Sequence, residues 1–426
     1  MQTLRDLVNN QNAIHSTSNY FNEDSTQKNT YDNAIDNGST YITGQHNPEL
    51  NKSTIDQTIS RINTAKNDLH GVEKLQRDKG TANQEIGQLG YLNDPQKSGE
   101  ESLVNGSNTR SEVEEHLNEA KSLNNAMKQL RDKVAEKTNV KQSSDYINDS
   151  TEHQRGYDQA LQEAENIINE IGNPTLNKSE IEQKLQQLTD AQNALQGSHL
   201  LEEAKNNAIT GINKLTALND AQRQKAIENV QAQQTIPAVN QQLTLDREIN
   251  TAMQALRDKV GQQNNVHQQS NYFNEDEQPK HNYDNSVQAG QTIIDKLQDP
   301  IMNKNEIEQA INQINTTQTA LSGENKLHTD QESTNRQIEG LSSLNTAQIN
   351  AEKDLVNQAK TRTDVAQKLA AAKEINSAMS NLRDGIQNKE DIKRSSAYIN
   401  ADPTKVTAYD QALQNAENII NATPNV

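Results

Sequence analysis

One pattern recurs along this chain at a fixed spacing of 126 residues. Leu4-Arg5-Asp6 returns as Leu130-Arg131-Asp132, Leu256-Arg257-Asp258 and Leu382-Arg383-Asp384. Tyr20 returns as Tyr146, Tyr272 and Tyr398, and Tyr31 as Tyr157, Tyr283 and Tyr409. The spacing never slips by one residue. A period this strict marks tandem units that pack mainly on their neighbours. An enzyme needs one good pocket, whereas an array works through length, spacing and multiplicity.

With 426 residues the chain is too long for one core. Only 31% of residues are hydrophobic, 3% are aromatic and the formal net charge is −18. Composition alone leans towards disorder. The apolar residues are strictly placed, however, so the expectation is many small cores with thin centres. Tryptophan is absent and there are two Phe, so packing falls to Leu, Ile, Val, Ala and Tyr. The acidic balance argues against nucleic acid and anionic lipid as partners. No apolar run approaches the ~18 residues that span a bilayer. The chain starts and stops inside a repeat and reads as a section of something longer. A missing signal or anchor therefore carries little weight. The absence of cysteine excludes disulfides and thiolate sites without deciding the compartment.

Tyr157, Ala160, Leu161, Ala164, Ile167 and Ile168 form one stripe of an α-helix. Tyr409, Ala412, Leu413, Ala416, Ile419 and Ile420 repeat it, while Gly38 and Gly290 replace the alanine in the other copies and point to a close helix contact. Asp24, Ser150, Asp276 and Asp402 stand at the expected N-cap. A second helix follows Pro48, Pro174 and Pro300. It opens with the boxes Ser53/Asp56, Ser179/Glu182 and Asn305/Glu308, and stops at Gly71, Gly197 and Gly323. Another helix carries Leu201, Ala204, Ala208, Ile212, Leu215 and Leu218. A short one starts at the boxes Asn93/Gln96, Asn219/Gln222 and Asn345/Gln348. The stripe Val113, Leu117, Ala120, Leu123, Met127, Leu130 and Val134 then crosses the repeat junction without Gly or Pro. It predicts one long helix from about Ser111 to Val140 that closes one bundle and opens the next. The expected fold is all-α, a linear rod of alternating three-helix bundles joined by shared long helices.

The first bundle type resembles the FIVAR module, on "SDYIND" at 144–149, "YDQALQEAENIIN" at 157–169 and "NALQG" at 193–197. The second resembles the GA module of bacterial albumin-binding surface proteins, on "LNDAQRQKAIENV" at 218–230 and "INTAM" at 249–253. Their alternation at this period is similar to that of giant staphylococcal matrix-binding surface proteins. On this resemblance FIVAR-like bundles occupy 1–71, 127–197 and 253–323, with an incomplete one at 379–426. GA-like bundles occupy 72–126, 198–252 and 324–378. The resemblance implies an extracellular, cell-wall-associated adhesin anchored outside this chain. Its bundles would act as a stalk and adhesive surface, or as a multivalent array for fibronectin or other matrix protein, albumin or immunoglobulin. A monomer is expected, because each bundle closes on its own three helices.

The paired tyrosines are the leading site candidates. If exposed, a repeated pair could be a recurring adhesive contact. Tyr157 begins an apolar stripe, however, so a packed ring with a bonded hydroxyl is the favoured reading. Asp32, Asp158, Asp284 and Asp410 each follow a tyrosine and read as a solvated helix face. His15 and His267 are copies, but Lys141 and Lys393 stand at the same position. His46 maps to Gly172 and His70 to Gln196. No H-x-x-H or HExxH spacing, phosphate loop or G-x-S-x-G elbow appears. The reading therefore assigns no enzyme activity, no catalytic or metal residues and no cofactor. In GA modules that bind albumin the contact surface centres on the middle helix. The matching stretches 99–106, 225–232 and 351–358 are mixed polar and lack any aromatic, so no contact residues are assigned.

Overall fold

The computed structural model describes residues 1–44 and 48–422, and among them every regular element is an α-helix. His46 lies outside the described residues. The helices gather into two compact units, residues 1–203 with 234–236, and residues 204–233 with 237–426.

The first unit opens with α1 (Gln2–Asn9), the short α2 (Gln11–His15) and α3 (Ser18–Phe21), α4 (Ser25–Thr43) and α5 (Lys52–Asn67). Helices α1, α4 and α5 close on Leu4, Tyr31, Ile35, Ile62 and Leu69. Next come α6 (Gly71–Gly87), α7 (Asp94–Gly106) and α8 (Arg110–Ala135), which share a core of Leu75, Ile86, Val104, Val113 and Ala120. Short α9 (Lys137–Gln142) and α10 (Ser144–Ile147) lead to α11 (Thr151–Ile168) and α12 (Lys178–Asn193). These pack on the second half of α8 around Met127, Leu130, Tyr157, Leu161, Ile181 and Leu188. One helix thus serves two cores.

Helix α13 (Gly197–Asn213) begins in the first unit and continues in the second, which also holds α14 (Asp220–Gln231). The pattern then repeats with α15 (Ile236–Gly261), α16 (Gln263–His267), α17 (Ser270–Phe273), α18 (Glu277–Asp295) and α19 (Lys304–Thr319). It continues with α20 (Gly323–Glu339), α21 (Thr346–Gln358), α22 (Arg362–Ile386), α23 (Lys389–Arg394), α24 (Ser396–Ile399) and α25 (Pro403–Ile420). Met253, Leu256, Tyr283, Val287, Ile307 and Ile314 fill one core of this unit, and Ile338, Val356, Val365 and Ala372 another. Full burial of each Leu, Ile or Val side chain contributes ~1.5–3 kcal/mol, which is how so sparse a sequence holds its helices.

Three expectations need correction. The junction helix stops at Ala135 instead of reaching Val140. Its last turn tightens, with the cap N–H bonding to Lys133 and Val134 carbonyls, and α9 then brings Val140 into the core. The caps of α5, α12 and α19 are Asn51, Asn177 and Asn303, whose side chains accept from Ser53, Ser179 and Asn305 N–H. The predicted serine and asparagine sit two positions inside. Lastly, Gly71, Gly197 and Gly323 do not end a helix; they begin the next one. A Cβ on Gly197 would lie 2.4 Å from Ser144 O and 2.5 Å from Asp145 O, so glycine is needed where one backbone rests directly on another. Gly38 and Gly290 behave as expected, with a hypothetical Cβ only 3.0–3.1 Å from Ile62 and Ile314 methyls.

Candidate functional site

Two repeated constellations stand out, a tyrosine cluster inside one bundle type and the seams between bundles. In the cluster, Tyr31, Tyr157 and Tyr283 are buried at the head of their helices. The preceding short helix folds Tyr20, Tyr146 and Tyr272 edge-on against them, with ring centroids 6.0–6.1 Å apart. Each outer tyrosine donates its hydroxyl to the aspartate after the inner one: Tyr20 to Asp32 at 2.6 Å, Tyr146 to Asp158 at 2.9 Å, Tyr272 to Asp284 at 2.7 Å. Tyr398 does the same to Asp410 at 2.8 Å. The aspartate also meets the alternating residue, and Asp284 accepts from Gln263 Nε2 as well. His15 and His267 Nε2 lie 2.7 Å from Asp32 and Asp284, and Lys141 and Lys393 Nζ lie 2.9 and 3.1 Å from Asp158 and Asp410.

These aspartates are therefore not a merely solvated face, as the helix periodicity alone suggested. Each is half-buried and ties a phenol and either an imidazole or a lysine amine to one helix. Burial pushes the Tyr20 hydroxyl up to about 12, helped by its bond to Asp32. Burial also pushes Asp284 up, but its bonds from Tyr272 and His267 outweigh this and hold it below the usual carboxylate range. A phenol held protonated against a carboxylate is a structural tie, with no nucleophile or transferable group. The inner tyrosines are core. What the cluster does expose is the residue after each outer tyrosine: Phe21 at 40%, Ile147 at 49%, Phe273 at 41% and Ile399 at 67%. Sequence reasoning passed over this series, although the same 126-residue spacing marks it.

The first seam is made by the loop before α4, and by its copies, with the start of the long helix that follows. Asn22 is buried; its Nδ2 donates to Asn108 O at 3.0 Å and its Oδ1 accepts from Arg110 N–H at 3.0 Å. Asn148 bonds Gln234 O and Ile236 N–H in the same way, and Asn274 bonds Lys360 O and Arg362 N–H. One side chain thus caps both free backbone groups at the start of the long helix. In the first and third copies a charge network surrounds it. Buried Glu23 pairs with Lys74, whose amine also meets Asp24, and Arg110 bridges Asp24 and Asp78. Glu275, Lys326, Asp276, Arg362 and Asp330 repeat this. Burial alone would raise Glu275, yet Lys326 and the Ser322 and Asp276 N–H groups hold it down at about 2. Asp24 and Asp276, the expected N-caps, make no side-chain cap bond and spend their carboxylates here; Ser150 does cap, accepting from His153 N–H. The second copy has Leu200, Ile236 and Ala204 in place of the cations and Asp78.

The second seam uses the expected capping boxes. Asn93 and Gln96 cap α7 reciprocally, and both also reach the next bundle: Asn93 Nδ2 to Ile167 O at 3.3 Å, Gln96 Nε2 to Thr175 O at 2.9 Å. Asn219 and Gln222 do the same to Ile294 O and Ile301 O, and Asn345 to Ile419 O. Arg131, Arg257 and Arg383 of the recurring Leu-Arg-Asp donate to Tyr91, Ala217 and Ser343 carbonyls. In the stretches 99–106 and 351–358, Leu103 and Leu355 face solvent where the middle copy has Asn229.

Comparison with known proteins agrees with this alternation. The FIVAR domain family matches residues 1–70, 126–196, 252–322 and 378–426, and the GA module family matches 72–126, 198–252 and 324–378. Extracellular matrix-binding protein ebh of Staphylococcus aureus strain MRSA252 is 35% identical over 425 residues, all of this chain and 4% of the relative. Extracellular matrix-binding protein EbhA of strain N315 is 34% identical over 425 residues, covering 6% of that protein. The chain thus spans about a twentieth of such relatives. The crystal structure of EbhA residues 756–1003 from S. aureus aligns with a TM-score of 0.54 at 25% identity, covering 58% of this chain and 98% of that one. These are adhesin repeats and not enzymes. The chain belongs to the FIVAR and GA module family, the repeat family of the staphylococcal extracellular matrix-binding proteins.

Proposed function

We propose that this chain is a section of an extracellular, cell-surface stalk whose seven bundles, with the boundaries given above, are held in fixed succession. The observation that carries the reading is the buried asparagine of the first seam, present with the same two backbone partners at Asn22, Asn148 and Asn274. A flexible linker would solvate these groups; here one side chain satisfies both across the seam. The shared helices add stiffness, since bending them breaks successive backbone bonds. The stalk is a monomer. Small-angle scattering tests this, with an expected maximum dimension well above the ~60–70 Å of a compact globule of this length. A compact profile refutes the stalk.

The exposed series Phe21, Ile147, Phe273 and Ile399 favours a second, compatible reading, in which the stalk presents weak repeated contacts to host matrix protein, in keeping with the relatives' name. Weak sites in series gain by multivalency. Surface-immobilised fibronectin and other matrix proteins should then bind the chain measurably. Replacing all four residues by Ser should weaken that binding, and unchanged binding removes the series from the account.

A further inference from the structure

Three positions in the GA-type bundles depart from their apolar surroundings. The core face of α7 is Gln96, Glu100 and Val104; the copies are Gln222, Ala226 and Val230 on α14, and Gln348, Glu352 and Val356 on α21. The facing helices carry Ala120 on α8, Asp246 on α15 and Ala372 on α22 at equivalent positions, all buried. Each bundle thus contains one carboxyl and one alanine, and the middle copy exchanges which helix carries which. The acids are 2%, 0% and 8% exposed, and in each one oxygen (Glu100 Oε2, Asp246 Oδ2, Glu352 Oε2) has no hydrogen-bond partner. An ionised carboxylate so placed is costly, and adding a proton removes the charge.

We propose that the first and second GA-type bundles each hold one buried proton-binding carboxyl in the core, Glu100 and Asp246, so that each is firmer in acid than above neutrality. The neighbours offer little compensation. On α8, Glu119 repels Glu100 while His116 opposes that effect; on α6, Lys79 is bonded to Asn105 O and Glu85 is paired with Lys121. Glu170, in the loop packed beneath α7, is taken up by Thr175. Around Asp246, Gln242 donates to Oδ1, Lys205 is bonded to Gln231 O, Arg223 to four carbonyls, and Lys225 to Glu228. In the third bundle Lys368 pairs with Asp364, and Lys353 with Glu339. Burial, then Glu119, pushes Glu100 up to about 7, and burial raises Asp246. Because the folded value lies above the ordinary one near 4.5, the stabilising proton is fully in place below about 4.5. Its contribution is lost as pH rises through about 7.

Hydrogen exchange of the whole chain, corrected for intrinsic rates, reads each bundle separately. Between pH 5 and pH 8, peptides of residues 71–125 should lose at least about tenfold protection. Glu100→Gln should abolish that loss. Glu100→Ala with Ala120→Asp, which copies the middle bundle's arrangement, should restore it. A His116→Lys background, the residue of the third copy, removes imidazole titration and should leave the loss in place. Protection equal at both pH values, or a loss that persists in Glu100→Gln, overturns the proposal. If Glu100→Gln does not fold, the exchanged pair alone decides.

Discussion

Removing one seam asparagine tests the contact proposed to hold successive bundles against one another. Asn274 is buried and makes two bonds across the seam, Nδ2 to Lys360 O at 3.0 Å and Oδ1 from Arg362 N–H at 3.1 Å. Asn274→Ala leaves one donor and one acceptor unpaired at the start of α22. A net backbone hydrogen bond is worth about 0.5–1.5 kcal/mol and an orphaned buried group costs about 1–3 kcal/mol, so the seam should weaken by about 2–3 kcal/mol. At 1.36 kcal/mol per decade, the Arg362 amide should exchange about 30–160 times faster. The last copy supplies an internal control. Asn400 is exposed and bonds only locally, to Ser396, so Asn400→Ala should change exchange at its neighbours by less than about threefold, the surface norm. If Arg362 exchanges no faster in Asn274→Ala than in wild type, the seam bonds do not hold the bundles together and the reasoning fails.

Further outcomes follow from the same contacts. Gly197→Ala should destabilise by about 1–3 kcal/mol, because the added methyl meets the α10 backbone. Gly156→Ala, with open space around it, should stabilise by about 0.5–1 kcal/mol; melts of both variants check the contrast. Glu275 is held at about 2, below its ordinary value, so its stabilising charge is present above about 4.5 and lost as pH falls towards 2. Ser322 amide protection should fall across that range in wild type and stay low and flat in Glu275→Gln. Helix α25 has only Leu413 and Ala416 buried, and Tyr409 is less covered than Tyr157, because among the described residues no third long helix packs on it. Amides 398–420 should exchange much faster than Tyr157–Ile168; equal protection in dilute monomer would show that two helices suffice.

Much of the fold is written in apolar periodicity. The stripes of α8 and α11 and the boxes at Asn93, Asn219 and Asn345 are local signals, and local signals survive folding intact. Misreadings arose where one residue type serves two purposes. Glycine at 71, 197 and 323 follows a stripe, as a helix-ending glycine does, yet it answers to a backbone from about 50 residues earlier. Asn51 and Ser53 are both good caps, and only the local geometry chooses between them. Asp32 lies on a polar face until α2 and α3 fold over it. The seam asparagines carry no local signal, because their partners lie 86 and 88 positions away. Phe21 and its copies escaped notice because they sit beside a tyrosine that dominates the pattern.

The central claim is that successive bundles are held in fixed orientation, and the absence of cysteine makes it directly measurable. Ser98→Cys on α7 and Gln186→Cys on α12, both exposed, place spin labels on either side of the second seam. Pulsed dipolar spectroscopy should give one narrow distance distribution, which broadens when Asn93 and Gln96 are both replaced by Ala. A broad or multiple distribution in the otherwise unaltered chain would mean that the bundles hinge freely, and it would contradict the account.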